Sequence, residues 1–81
     1  MPASRARPDD EHLAQEFGRR LKAARAEAGL TQEQLAEGAG VHPTYISNME
    51  RGYSSPTLGT LVRLAAALEL DPAQLVQGLQ P

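Results

Sequence analysis

Residues 31–52 read TQEQLAEGAGVHPTYISNMERG, and this stretch decides the fold. Its pattern predicts two short helices joined by a tight turn. Thr31 can cap the first helix, and Gln34, three residues later, completes the T-x-x-Q pattern of a capping box. We therefore expect a helix over about residues 32–39.

Glycine and proline residues set the other helix ends in this stretch. Gly38 and Gly40 bracket the end of the first helix, where a residue able to take positive φ is needed. Pro43 suits the first position of the second helix, because its missing N–H has no partner there. Gly52 can close that helix as a C-cap.

The outward face of the second helix is the most informative feature. At about 100° per residue, four polar residues fall on one arc, opposite Ile46 and Met49: Thr44, Ser47, Asn48 and Arg51. Thr, Ser and Asn are mediocre helix formers, so local stability does not explain them. They can contact base edges in DNA. From the arc alone, base contact and a polar face without a function both stay open.

The stretch resembles the Cro/repressor-type (lambda repressor-like, XRE-type) helix-turn-helix of bacterial and phage regulators. The resemblance is carried by G-L-T-Q-E-Q-L-A, A-G-V and Y-I-S-N-M-E-R-G, and it extends over about residues 13–79. It implies an all-α domain of five helices, specific binding of double-stranded DNA and, usually, a homodimer. It also implies that the helix from Pro43 lies in the major groove.

The resemblance assigns roles to individual residues. Thr44, Ser47 and Asn48 are expected to contact base edges. Gln32, Tyr45, Arg51 and His42 are expected to hold phosphates, which positions the protein without specifying a sequence. Pro43 departs from the long polar residue often found at this place, so no polar base contact is carried over to it.

The composition limits the size of the core and the kinds of site that the chain can form. The chain has 81 residues, 41% of them hydrophobic, which is enough for one small core. It has no cysteine, so disulfides and thiolate metal sites are excluded, and a reducing cytoplasm is the expected location. The sequence has neither the long apolar run of a membrane span nor the apolar core of a signal peptide. We predict no metal and no cofactor.

The net charge is −2, which by itself argues against nucleic acid. Its distribution matters more than its sum. Four cations form a basic block in the first helix and are expected to lie off its apolar face: Arg19, Arg20, Lys22 and Arg25. They are expected to be solvated and to pair with acids such as Glu16, or, as the family resemblance implies, one or two of them meet phosphate.

Residues 1–8 are predicted to form a disordered arm, and residues 9–81 the folded domain. Arg5 and Arg7 in the arm could reach phosphates or a minor groove, or the arm could be an inert tail. The first helix is expected to start near Asp9 or Asp10 and to end before Gly29. Helical spacing predicts an apolar face that comprises Leu13, Phe17, Leu21, Ala24 and Ala28.

Two further helices are predicted after the loop that follows Gly52. Thr57 is the expected N-cap of the fourth helix. The inner face of that helix is predicted to comprise Leu58, Leu61, Val62, Ala65 and Leu68. Asp71 is the expected cap of the last helix. There, Leu75, Val76 and Leu79 share an arc and are expected to divide between the core and a dimer seam.

Glu33 and Glu37 are neighbours on the second helix, where like charges destabilise it slightly. In a phage repressor of the resembled family, acidic residues at the matching places touch RNA polymerase and activate transcription. The pair is therefore a candidate polymerase contact, and the alternative is a plain solvated face.

Two other classes of protein compete with a DNA-binding regulator. One is a protein-interaction or antitoxin-like module with the same fold and secondary DNA binding, which the acidic pI of about 5.6 favours. The other is an enzyme. It has little support, because the chain has no cysteine, only two distant histidines and no Gly-rich phosphate loop.

Overall fold

The computed structural model describes residues 8–80, and within that range all regular secondary structure is helical. The helices are α1 (Pro8–Glu27), α2 (Gln32–Ala39), α3 (Pro43–Glu50), α4 (Leu58–Leu68) and α5 (Pro72–Val76). The predicted five-helix all-α fold is confirmed. The expected arm lies outside the described residues except for Pro8, at which α1 begins.

The predicted caps of α2 are present. The Thr31 hydroxyl accepts the Gln34 N–H at 3.0 Å, and the Gln34 side chain accepts the Thr31 N–H at 2.8 Å. Gly40 ends the helix with φ of 70°. Gly38, by contrast, lies inside α2, where an added Cβ would be 3.1 Å from the Cβ of Ala67 in α4. It permits a close approach of two helices and does not help to end one.

The core draws on every helix, and α3 packs against both α1 and α2. Its buried members are Phe17, Leu21, Leu35, Ala36, Ala39, Ile46, Met49, Leu64, Ala65, Leu68 and Leu75. Helix α4 covers α2, and α5 closes the bundle against α4 and α1. This arrangement holds α3 by its apolar side and leaves its polar arc facing outward.

The prediction for the inner face of α4 was partly wrong. Leu58 and Val62 are 77% and 48% exposed, while Leu64 and the polar Thr60 are buried. Helix α4 is apolar almost all round, so more than one set of residues has helical spacing and periodicity alone could not choose between them. The result is an exposed apolar stripe on α4.

The C-terminal residues divide between core and surface. Leu75 is fully buried in the core, and Leu79 packs against the core from its edge. Val76 is 36% exposed. Leu75 is therefore excluded from the expected dimer seam, because its side chain is already covered within the chain.

Gly18 allows α1 to pack closely on α3, and the C-terminal end of α1 differs from the prediction. An added Cβ at Gly18 would lie 2.8 Å from the carbonyl oxygen of Glu50 and would also collide with that of Met49. Only glycine allows the backbones of α1 and α3 to come this close. At the other end, α1 stops one residue short of Ala28, which is exposed and does not join the apolar face as expected.

Candidate nucleic-acid interface

The polar arc of α3 is placed as the sequence predicted. Ile46 and Met49 are fully buried on one side of the helix. Of the proposed base-contacting residues on the other side, Thr44 is exposed and Ser47 and Asn48 are half-buried. The structure therefore brings these three side chains together on an accessible helix face.

His42 has a capping role that the sequence did not reveal. Its Nδ1 accepts the backbone N–H of Thr44 at 3.0 Å, which makes His42 the N-cap of α3. Since Nδ1 must be an acceptor, the neutral ring carries its proton on Nε2. The remaining N–H of this exposed side chain is a donor that could meet a phosphate.

Tyr45 and Arg51 join α3 to the loop behind it. The Tyr45 hydroxyl donates to the carbonyl of Ser55 at 3.2 Å, so its proton is used within the chain. The guanidinium carbon of Arg51 lies 5.8 Å from the centre of the Tyr53 ring, which is 73% exposed. Such a cation–π contact is worth about 0.5–1 kcal/mol at an exposed site, and it steadies Arg51 at the end of the arc.

Arg25 and Glu50 form a buried ion pair, which corrects the expectation that Arg25 lies off the apolar face. Arg25 Nε and Nη2 donate to the two carboxylate oxygens of Glu50 at 2.6 and 3.0 Å. Only 16% and 4% of the two side chains is exposed. Arg25 Nη1 also donates to the carbonyl of Leu30 at 2.9 Å. The pair thus links α1, the α1–α2 turn and α3.

Gln32, the expected phosphate ligand at the first turn of α2, is tied into the same network. Its Nε2 donates to Glu50 Oε1 at 3.0 Å. A carboxylate only accepts hydrogen bonds, so the amide nitrogen must face Glu50. Glu50 therefore fixes the orientation of the Gln32 amide and leaves its second N–H for another acceptor.

The network sets the protonation of its members. Burial would raise the pKa of Glu50, but hydrogen bonds from Arg25 and Gln32, together with the charges of Arg25 and Lys22, hold that pKa below its usual value. The hydrogen bond to Glu50 raises the pKa of Arg25 in turn. Both groups are charged at neutral pH.

The other cations of α1 differ in their surroundings. Arg19 and Arg20 both pair with Glu16, and Arg20 also donates to the carbonyl of Gln77 at 2.6 Å. Lys22 forms no ion pair among the side chains of residues 10–80. The basic block is thus divided among solvated pairs, a buried pair and one unpaired lysine.

The remaining candidate residues fall into two groups. Glu33 and Glu37 are both exposed on α2. Arg5 and Arg7 lie outside the described residues.

Across residues 8–80, no cluster of three or more His, Asp or Glu residues is arranged to hold a metal ion. No helix in that range is long and apolar enough to span a membrane.

The sequence did not single out Glu50, although a signal was present. Ile46, Met49 and Glu50 have the spacing i, i+3, i+4, so an acid stands at a core-facing position. Arg25 stands one turn after the buried Leu21 in the same way. Opposite charges on two apolar faces indicate a buried pair, but only the fold shows that these two faces meet.

Comparison with known proteins finds relatives among helix-turn-helix regulators. The model of the helix-turn-helix family HTH_3 matches residues 21–75. The immunity repressor protein of Bacillus phage phi105 is 42% identical over 59 residues, which cover 73% of this chain and 41% of the phage protein. The chain thus corresponds to less than half of that relative.

Two solved structures have the same fold. The restriction-modification controller protein C.AhdI from Aeromonas hydrophila has a TM-score of 0.75 and 37% identity, over 76% of this chain and 94% of that one. The P22 c2 repressor, solved in complex with a synthetic operator, has a TM-score of 0.71 and 32% identity, over 76% and 94%.

The buried pair generates a stability prediction. Glu50→Ala should lower the free energy of unfolding by about 3–5 kcal/mol, because Arg25 is left buried without its partner. The double variant Arg25→Met, Glu50→Leu should recover most of that loss, since it removes both charges. Urea unfolding at pH 7 measures both effects.

The buried pair also predicts how the stability of the protein changes in acid. The pKa of Glu50 is lowered by folding, so its contribution is present above the ordinary value of 4.5 and is lost as pH falls below that value. The double variant has no Glu50 carboxylate, so it should not lose this part of its stability as the pH falls. A double variant as unstable as Glu50→Ala, or one with the wild-type acid dependence, would contradict the assignment.

Proposed function

This chain belongs to the helix-turn-helix family HTH_3, a family of DNA-binding transcriptional regulators and not of enzymes, and we propose that it binds a pseudo-palindromic operator as a homodimer. Helix α3 enters the major groove. The observation that carries the proposal is the polar arc of α3, which faces outward from a helix whose opposite side is completely buried.

Base contacts come from Thr44, Ser47 and Asn48 in this proposal. Asn48 lies in the middle of the arc, and its amide can pair with adenine through one donor and one acceptor. Thr44 is the most exposed of the three and lies at the entry of the helix. A short hydroxyl side chain can bond several bases, so Thr44 and Ser47 refine a preference that Asn48 sets.

Phosphate contacts come from residues around the arc. The Gln32 amide has one free N–H whose direction Glu50 fixes, and His42 has a free Nε2–H whose position the α3 cap fixes. Arg51 supplies a charge at the other end of α3. Tyr45 can only accept a bond while its proton is given to Ser55, so it acts by holding the loop.

The small size of the domain and its exposed apolar surface support the proposed homodimer. Leu58 and Val62 lie one turn apart on α4, and Val76 is exposed on the neighbouring α5. Exposed large apolar residues at helical spacing are typical of a surface that packs on a partner. A twofold dimer would place two α3 helices about 34–36 Å apart on the DNA.

A contact with RNA polymerase is a second proposal, which concerns activation and not DNA binding. Glu33 and Glu37 are four residues apart and both exposed, so they form an acidic patch on α2. An acidic patch repels phosphate, so it would point along the DNA toward a neighbouring protein.

The first prediction tests sequence recognition. Asn48→Ala should cost about 1–3 kcal/mol at the preferred site and relax the preference at one base pair in each half-site. The measurement is a selection of bound sequences from a random DNA pool, for wild type and variant. Arg51→Ala is the control: it should weaken specific and random DNA alike and leave the selected sequence unchanged. An unaltered preference in Asn48→Ala would remove Asn48 from the base contacts.

The second prediction tests the dimer. The double variant Leu58→Glu, Val62→Glu should shift sedimentation equilibrium toward the monomer, because it places like charges across the twofold axis. Ala26→Glu, on the exposed side of α1, is the charge control and should leave the dimer intact. Val76→Glu reports separately on α5. A wild-type protein that saturates its operator as one monomer per site would refute the dimer.

The third prediction tests the acidic patch. Glu37→Lys, alone and with Glu33→Lys, should retain or raise DNA affinity, since it removes negative charge near phosphate. Transcription from a promoter beside the operator should fall if the patch contacts polymerase. Activation that survives both changes, or a protein that only represses, would leave the patch as ordinary surface.

A further inference from the structure

The first turn of α3 depends on a side chain to satisfy one of its backbone donors. Pro43 has no N–H, and the N–H of Tyr45 donates to the carbonyl of His42 at 2.9 Å. The N–H of Thr44 donates to Nδ1 of the His42 ring at 3.0 Å, and within residues 8–80 it has no other partner. The imidazole therefore satisfies a first-turn donor that no backbone carbonyl reaches.

The cap of α3 differs in chemistry from the caps of the helices that follow and precede it. The N-caps of α2 and α4 are threonine hydroxyls, and that of α5 is the Asp71 carboxylate. None of these groups changes its protonation near neutral pH, whereas an imidazole takes up a proton between about pH 5 and 8. A proton on Nδ1 would turn this acceptor into a donor that faces the N–H of Thr44. Only the neutral ring can therefore cap α3.

The surroundings of the His42 ring hold no acid that would compensate for its charge. The charged side chains on the elements around it are Glu33 and Glu37 of α2, Glu50 and Arg51 at the far end of α3, and Arg63 of α4, and the neighbouring Tyr45 is a phenol. Among residues 10–80 no ion pair includes His42. The first turn of α3 contains no acid, and the N-terminus of a helix repels a cation. Protonation of the ring is therefore opposed to the cap in both charge and hydrogen bonding.

Thr44 connects this cap to DNA recognition. It is the most exposed of the three proposed base-contacting residues, and its own backbone N–H is the group that the ring holds. Helix α3 has only eight residues, and a helix of this length has little stability of its own. Loss of the cap loosens the backbone that carries the Thr44 side chain, whereas the Nε2–H of the ring is retained.

We propose that His42 is a positioning residue for base recognition, and that the protein distinguishes its operator from random DNA less well in acid because protonation of His42 releases the first turn of α3. This role rests on the DNA binding proposed above and adds a pH dependence to it. The cap is complete when the ring is neutral, so its contribution is present in mild base and is lost as the pH falls.

The proton on His42 affects specific and random binding in opposite directions. The lost cap weakens contact with particular bases, whereas the added charge attracts any phosphate backbone. Specific binding therefore falls relative to random binding. A uniform loss of folded protein would reduce both kinds of binding equally, so the ratio of the two affinities separates positioning from general stability.

The decisive measurement is this ratio at pH 8 and at pH 6, which lies above the sequence pI of about 5.6. One duplex is selected by the wild-type protein from a random pool at pH 8, and the other is a random duplex of equal length. Complete loss of an N-cap weakens a helix about fivefold. Since the ring is only partly protonated at pH 6, we expect the ratio to fall about two- to threefold for each bound protomer.

Three variants assign the effect to the ring of His42. His42→Asn retains a capping acceptor that does not titrate, so its ratio should be the same at both pH values. His42→Ala has no cap at either pH, so its ratio should be low and equally flat. His12→Gln removes the only other imidazole in the chain, which is exposed on α1, and should retain the wild-type response. A wild-type ratio that does not change with pH, or one that changes equally in His42→Asn, overturns the proposal.

A measurement without DNA tests the cap itself. Nitrogen-15 NMR should find the ring proton of His42 on Nε2 at pH 8, and the backbone amide signal of Thr44 should shift in step with protonation of the ring. In His42→Asn that amide signal should not follow the pH. A proton on Nδ1 at pH 8, or a Thr44 signal that is independent of the ring, excludes the cap and with it the proposal.

Failure of the proposed function gives a different result. A wild-type protein that binds neither duplex at pH 8, while the Thr44 amide still follows the His42 ring, would refute DNA binding and the role of His42 in it, although the cap is present. A protein that binds DNA selectively with the same ratio at both pH values would refute only the role of His42.

Discussion

The buried pair of Arg25 and Glu50 is the interaction on which the rest of the structure depends. It joins α1 to α3 beside the core and also holds the α1–α2 turn through the carbonyl of Leu30. Two charges taken out of water gain little net stability, yet removing only one of them costs several kcal/mol. The pair therefore acts mainly as a constraint: α1 and α3 must keep one relative position if both charges are to stay satisfied.

That constraint shapes the surface proposed to meet DNA. Gly18 lets the α1 backbone pass close to the end of α3, where Glu50 turns inward to meet Arg25. The same carboxylate orients the Gln32 amide at the start of α2. The carboxylate of Glu50 thus helps to position α3 through Arg25, and it also sets the direction of the Gln32 amide, which is a proposed phosphate donor.

The negative net charge is reconciled with an anionic partner by the distribution of charge. Two of the acids are paired within the chain, Glu16 with Arg19 and Arg20 and Glu50 with Arg25. A surface cleft between α1, α2 and α3 is lined by the cations Lys22, Arg25 and Arg51, and Glu50, the one acid in this lining, accepts hydrogen bonds from Arg25 and Gln32. Because a single domain offers few cations, its electrostatic attraction to DNA is weak, and a twofold dimer would double it, in agreement with the exposed stripe of Leu58 and Val62.

The sequence by itself determined the five helices, the N-caps of α2, α4 and α5 and the polar arc of α3, because capping boxes, prolines, left-handed glycines and helical periodicity act within a few residues. Only the tertiary structure decided which apolar side of α4 is buried, since that helix is apolar almost all round and its neighbours make the choice. It also decided that Arg25 is largely buried in an ion pair with Glu50 and that Lys22 lines the same cleft as Gln32 and Arg51. These facts depend on side chains far apart in the chain, and a pair such as Arg25 and Glu50 is defined by the meeting of two helices, which no local pattern encodes.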